Sequence, residues 1–215
     1  MPDSRRKVLA SLACATVLAA CSGAVGPVSS KEAANGDMAI GDPKAPITLV
    51  EYSSPTCPHC KEFHETIYPT LKAEYIDTGK VRFVLRELTT PPAELAAAGF
   101  QLARCGGASP EEYFKRVGVL FDQQIPIYQA AQAGQARQPL GQIAKSAGLS
   151  ETQLDACLRD ESGYERLKKV EEEANKQGVT GTPALFLNGD RLPAMSFGSV
   201  KEFKAALDAA LQKKK

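Results

Sequence analysis

Two hundred and fifteen residues, 43% of them hydrophobic, can bury a core of their own, which excludes general disorder. With 26 Lys+Arg against 25 Asp+Glu the formal net charge is +1, so no nucleic-acid partner is expected: there is no electrostatic footprint for a phosphate backbone, and the basic run 213–215 reads as a solvated chain end. The two histidines, His59 and His64, cannot build a three-histidine metal centre, which leaves the six cysteines as the feature that needs explaining.

At the N-terminus, Arg5, Arg6 and Lys7 precede an apolar stretch over residues 8–20 that is too short to span a bilayer and predicts a secretory signal peptide over residues 1–20. The stretch ends in Leu18-Ala19-Ala20-Cys21, which resembles the lipobox of bacterial lipoproteins. Cleavage would then precede Cys21, and Cys21 would carry the lipid; an ordinary cleavage site with an incidental cysteine is the alternative. Ser4-Arg5-Arg6 is similar to the start of a twin-arginine signal, but Val8 stands where that pattern prefers Phe, so Sec export is favoured. Residues 21–37 read as the lipid-anchor cysteine and a flexible tether, rich in Ser, Gly, Ala and Pro. No later stretch is long and apolar enough to cross a membrane, so membrane contact is expected only through the anchor, and the location is periplasmic or otherwise extracytoplasmic. Cys14 leaves with the signal. Cys57, Cys60, Cys105 and Cys157 remain, an even number in an exported chain, which implies oxidising surroundings.

The β-branched run at 46–53 predicts a buried strand. A helix follows over 58–76, with Pro58 in its first turn, Cys60, Phe63/His64, Ile67 and Leu71 along one side, and a kink at Pro69. Residues 81–85 are a second buried strand, and strand, helix, strand in this order predicts a βαβ unit with parallel neighbours. From 91 to 177 the pattern is helical, with helices at 93–104, 110–124, 139–147, 150–159 and 164–177 separated by Gly, Pro and Ser signals. Residues 184–187, Asn188-Gly189 and 191–195 read as a hairpin with a type I′ turn. Ser199 and Glu202 form a capping box that opens a last helix with Phe203, Ala206, Leu207, Ala210 and Leu211 on its apolar side. The fold class is α/β: βαβ in 38–90, a helical insertion in 91–177, and ββα in 178–215.

The chemistry sits in Cys57-Pro58-His59-Cys60, where a strand has ended and a helix begins. Unpaired amide N–H groups and the positive helix end favour a thiolate at Cys57. Cys60, one turn on and facing the core, is placed to close a disulfide but not to start exchange, so Cys57 reads as the nucleophile and Cys60 as the resolving thiol. His59 is expected to hydrogen-bond or charge-stabilise the thiolate. Haem attachment is excluded because Lys61, not His, follows Cys60. A zinc or copper site could use Cys57, Cys60 and His64, but no second ligand pair accompanies them, and His64 reads better as a satisfied core histidine. A purely structural bridge between such near neighbours would constrain the unfolded chain very little.

Glu51 six residues before Cys57, the Cys57-Pro58-His59-Cys60 motif, Phe63-His64, Pro69, Cys105, Cys157 and Thr182-Pro183 ahead of 184–189 together resemble the DsbA-type thioredoxin-fold family, over residues 38–212. The resemblance implies a thioredoxin-like fold with a helical insertion and a thiol-disulfide oxidoreductase that needs no metal and no cofactor beyond its redox-active disulfide. It puts the family's cis-proline at Pro183, with Thr182 before it, facing the dithiol and binding extended substrate segments through main-chain hydrogen bonds. Glu51 matches the family's buried acid, a proton relay for Cys60; an edge carboxylate in solvent is the alternative. Once the dithiol and the lipid site are assigned, Cys105 and Cys157 remain to pair with each other, against the alternative of two buried free thiols. The expected activity is donation of the Cys57–Cys60 disulfide to exported proteins with cysteines, with a membrane redox partner recycling the pair. An isomerase or reductase of the same fold is the alternative reading, followed by the metal-binding module.

Overall fold

The structure is a computed structural model that describes residues 36–213. The predicted signal peptide, Cys21 and the tether up to residue 35 lie outside the described residues.

Five strands form one mixed sheet: β1 (Met38–Ile40), β2 (Ile47–Ser53), β3 (Val81–Glu87), β4 (Ala184–Leu187) and β5 (Asp190–Arg191), in the order β1-β3-β2-β4-β5. The pair β2–β3 is parallel, as the βαβ pattern requires, and β4 runs antiparallel along the other side of β2. β2 is therefore the central strand, and its residues alternate between two cores. Leu49 packs with Phe83, Leu85, Leu185 and Leu187 beneath helices α1 (Pro58–Thr66) and α9 (Val200–Gln212), represented by Phe63 and Phe203. Val50 and Tyr52 face the other way, with Val84 and Phe186, against Val170 and Ala174 of α8 (Glu161–Lys176). β1 was not foreseen in the sequence. It is three residues long and exists through its antiparallel pairing with β3, Met38 opposite Leu85.

The predicted helix 58–76 is three pieces: α1, then α2 (Tyr68–Leu71), then a π-helical turn (Lys72–Ile76). The break falls at Ile67 rather than at Pro69 itself, because the proline ring conflicts with the carbonyl one turn earlier and removes an N–H from the ladder. The hairpin turn has positive φ at both Asn188 (53°) and Gly189 (97°), which a type I′ turn needs. The second strand of that hairpin is shorter than expected. β5 has two residues, Pro193 brings no N–H to a ladder, and Ala194–Phe197 forms a 3₁₀ turn. Ser199 caps α9 by accepting the Glu202 N–H, but its hydroxyl binds the Glu202 carboxylate at 2.8 Å, so the box closes side chain to side chain.

The insertion comprises α3 (Ala93–Arg104), α4 (Pro110–Asp122), α5 (Gln124–Gln132), α6 (Arg137–Ser146), α7 (Glu151–Leu158) and α8. The helix expected over 110–124 stops at Asp122, and α5 is an unforeseen helix whose Pro126 sits in its first turn, where a missing N–H costs no intrahelical bond. α8 starts at Glu161, three residues early, because the Asp160 carboxylate caps the Ser162 N–H. Glu87, buried at the end of β3, fastens the insertion to the sheet. It accepts hydrogen bonds from Arg104 Nε (2.8 Å), Arg166 Nε (3.1 Å) and Tyr113 Oη (2.8 Å), which stand on α3, α8 and α4. A disulfide joins Cys105, at the end of α3, to Cys157 of α7. Among the described residues, no helix is long and apolar enough to cross a membrane.

Candidate active site

The chain leaves β2 through Ser54-Pro55-Thr56 and turns into α1 at Cys57, whose N–H binds the Ser54 carbonyl at 3.1 Å. Cys57 is the N-cap of α1, with φ −86° and ψ 120°, and Pro58 follows in the first turn, where its fixed φ suits a helix start. The sulfur takes the place of the usual cap oxygen: Cys57 Sγ accepts the Cys60 N–H at 3.4 Å. As a thiol it also donates to the Thr182 carbonyl at 3.2 Å, across 125 residues of sequence. Both Cys57 and Cys60 are free thiols in this structure.

The two sulfurs have opposite environments. Cys60 is fully buried, and that burial, followed by the shared proton with Cys57, pushes its thiol well above the ordinary range. Cys57 is 6% exposed and is held down to about 5, first by the hydrogen bond from Cys60, then by Thr182 and by the backbone N–H groups of Cys60 and His59, against the opposing effect of burial. The Thr182 hydroxyl has no other partner and is buried, so it is a donor at hand when Cys57 ionises. The arrangement holds one proton on the inner sulfur and a thiolate on the outer one.

His59 departs from the expectation. Its ring lies in solvent with Nδ1 3.4 Å from Glu62 Oε2, and what it gives the Cys57 sulfur is its backbone N–H. Glu51 is not an edge carboxylate: it lies on the central strand, 4% exposed, opposite Leu85 and Leu185 on the face that carries α1. Burial raises it to about 8, with the nearby Ser53 hydroxyl pulling down and negative charge at Cys57 pushing up; Oε1 has no hydrogen-bond partner. Ionised Glu51 in turn raises Cys60 further, so the two groups compete for one proton.

Thr182-Pro183 is joined by a cis peptide bond and meets α1 across a groove of about 300 Å³, lined by His59, Phe63, Ile67, Thr182, Pro183 and Phe197. The groove is lined by polar and apolar groups together, with Glu62 and Thr66 beside Phe63 and Ile67, and lies along the chain segment that reaches Cys57 Sγ. His64 stacks on Tyr68 (4.9 Å between centroids) and meets a tilted Phe121 ring (5.0 Å), and burial lowers its pKa. Among the described residues, no group of three or more His, Cys, Asp or Glu side chains is gathered to hold a metal ion. Sequence reasoning missed the polar groups around the turn: Ser54, Thr56 and Thr90, whose hydroxyls interconnect, and Gln124 and Tyr128, which bind its carbonyls. The available signal was a Gln and a Tyr four residues apart, without a predicted helix to place them on one face.

The family described as Thioredoxin matches residues 33–209 of this chain. A Rickettsia typhi protein provisionally named a protein-disulfide oxidoreductase is 34% identical over 179 residues, which are 83% of this chain and 63% of the relative. The chain thus spans under two thirds of the length of that relative. Disulfide bond formation protein D of Bacillus subtilis is 24% identical over 188 residues, 87% of this chain and 82% of that protein. Among solved structures, Wolbachia pipientis alpha-DsbA1 superposes with a TM-score of 0.72 at 26% identity, covering 83% of this chain and 92% of its own. With a dithiol at the start of α1, a cis-proline facing it and helices inserted between β3 and β4, the chain belongs to the thioredoxin family, among its DsbA-type members.

Proposed function

We propose that this protein is an exported thiol-disulfide oxidoreductase that donates the Cys57–Cys60 disulfide to substrate proteins. In the forward reaction a substrate thiolate attacks Cys57 Sγ, the Cys57–Cys60 bond breaks, and Cys60 leaves with the electron pair and takes a proton. A second substrate thiolate then attacks the substrate sulfur of the mixed disulfide and releases Cys57 as a thiolate. Two substrate thiols become one disulfide, and the enzyme's pair is reduced by two electrons. Glu51, which holds a proton up to about pH 8, serves as the donor to Cys60. The groove beside Thr182-Pro183 takes an extended substrate segment, with His59 at its rim. A membrane redox partner reoxidises the pair. Residues 1–20 direct export, and Cys21 carries the lipid that keeps the protein at the extracytoplasmic membrane surface.

The observation that carries the direction is the set of donors on Cys57 Sγ. Groups that stabilise the thiolate lower the free energy of the reduced enzyme and make its disulfide a stronger oxidant, by about 30 mV for each 1.4 kcal/mol. These donors are the Cys60 thiol, Thr182 and backbone N–H groups rather than the His59 ring, so the oxidant reading rests on the helix start itself. Titration against glutathione tests it. A potential as low as about −270 mV, a reductant's value, would overturn the donor role in favour of a reductase or isomerase.

A further inference from the structure

The turn that delivers Cys57 is held from the helical insertion by two side chains with no part in the exchange steps above. Gln124 opens α5 and is 5% exposed; its Nε2 lies 2.8 Å from the Pro55 carbonyl and 3.0 Å from the Cys57 carbonyl. One helical turn later, Tyr128 Oη lies 2.9 Å from the Thr56 carbonyl and 3.0 Å from the Pro91 carbonyl. Three consecutive carbonyls, 55 to 57, are thus tied to one face of one helix. Behind them the hydroxyls of Ser54, Thr56 and Thr90 close a ring at 3.0, 2.9 and 2.9 Å.

We infer that Gln124 and Tyr128 are positioning residues for the Cys57 thiolate, through which the helical insertion tunes the reactivity of the dithiol. The inference rests on Cys57 being the attacking thiol, as proposed above. The Cys60 N–H reaches Sγ, at 3.4 Å, only while Cys57 keeps its capping backbone angles, and its ψ fixes where its own carbonyl points. Gln124 grips that carbonyl. Its amide also withdraws negative charge from an oxygen two bonds from the Cys57 Cα, which eases a thiolate on the same residue. Tyr128 holds the preceding carbonyl and so limits rotation of the 56–57 peptide plane. The titratable groups that face Cys57 are Cys60 and, from β2, Glu51; neither hydrogen-bonds to Gln124 or Tyr128. His59 turns its ring to Glu62.

The test is alkylation of the reduced protein with iodoacetamide across pH, with the labelled cysteine mapped, for the wild type, Gln124→Ala, Tyr128→Phe and the control Gln129→Ala, which alters an exposed side chain of the same helix. Losing the hydrogen bond to the Cys57 carbonyl, together with that to Pro55, is expected to raise the Cys57 midpoint by about 1 pH unit in Gln124→Ala, roughly tenfold less thiolate below both midpoints. Tyr128→Phe should move it in the same direction by less, and Gln129→Ala should leave it in place. Should Gln124→Ala fail to fold, Tyr128→Phe, which removes only one oxygen, decides. Midpoints equal to the wild type in the folded variants, or an equal shift in Gln129→Ala, would overturn the inference while leaving Cys57 as nucleophile. Rapid labelling that maps to Cys60 in the wild type would overturn both.

Discussion

At Cys57 the hydrogen bonds that decide ionisation also decide redox poise, so one titration addresses both. The expected alkylation midpoint of Cys57 lies near 5, far below the ordinary thiol value of about 8.5; a midpoint at or above that value would remove the thiolate argument. Glu51 makes the opposite linkage. In the fold it keeps its proton up to about pH 8, against 4.5 in an unperturbed chain, so between those values the folded state holds an extra proton and stability falls as pH rises. Glu51→Gln removes that fall. The variant should be more stable than the wild type at pH 8.5, by on the order of 2–4 kcal/mol, and nearly equal to it at pH 4. Urea unfolding of the reduced proteins at the two pH values checks this, and an equal difference at both would contradict it. The same variant should slow disulfide donation, because Cys60 loses its proton donor.

At the scale of elements, the segments that build the site were the most legible. A β-branched run, a Cys-Pro pair at a helix start and a second apolar run are local signals with one reading, and β2, α1 and β3 formed where they pointed. Glu51 could be placed on a strand from sequence but not at a depth, since that depends on β4 pairing along β2 and making it central, with Leu185 opposite Glu51 far along the chain. β1 and α5 were not legible, because tertiary contacts create them: β1 through its ladder with β3, α5 through Gln124 and Ile127, which are buried against other elements while Ile125 and Pro126 face out. Gly41, just after β1, shows how tight that unpredicted contact is. Its φ is 90°, and a Cβ there would lie 2.5 Å from the Val81 carbonyl oxygen. Gly41→Ala should therefore destabilise the protein by about 2–4 kcal/mol, through a backbone clash combined with an unfavourable φ. Thermal or urea unfolding would show it, and a cost below about 0.5 kcal/mol would mean that β1 is dispensable.

Across the whole molecule, two kinds of cross-link order the insertion: the polar cluster on Glu87 ties it to the sheet, and the disulfide between Cys105 and Cys157, 52 residues apart, ties α3 to α7 within it. Replacing both cysteines with Ala should cost about 4 kcal/mol in the chain-entropy account of a loop of that length. Oxidised protein compared with the double variant in urea checks it; equal stability would mean that the packing of α7 on α3 holds the insertion together without the bridge. The order β1-β3-β2-β4-β5 accounts for the site as a whole. It sets β4 beside β2, so Thr182-Pro183 arrives against Cys57, and it leaves the groove open along α1. The measurement that bears most directly on this account is trapping of a mixed disulfide: Cys60→Ser and Cys57→Ser proteins are each incubated with a peptide disulfide, and the adducts are mapped. The account predicts a one-to-one adduct on Cys57 in Cys60→Ser, formed rapidly even at pH 6, and none in Cys57→Ser. Adduct formation through Cys60, or none in either variant, would contradict it.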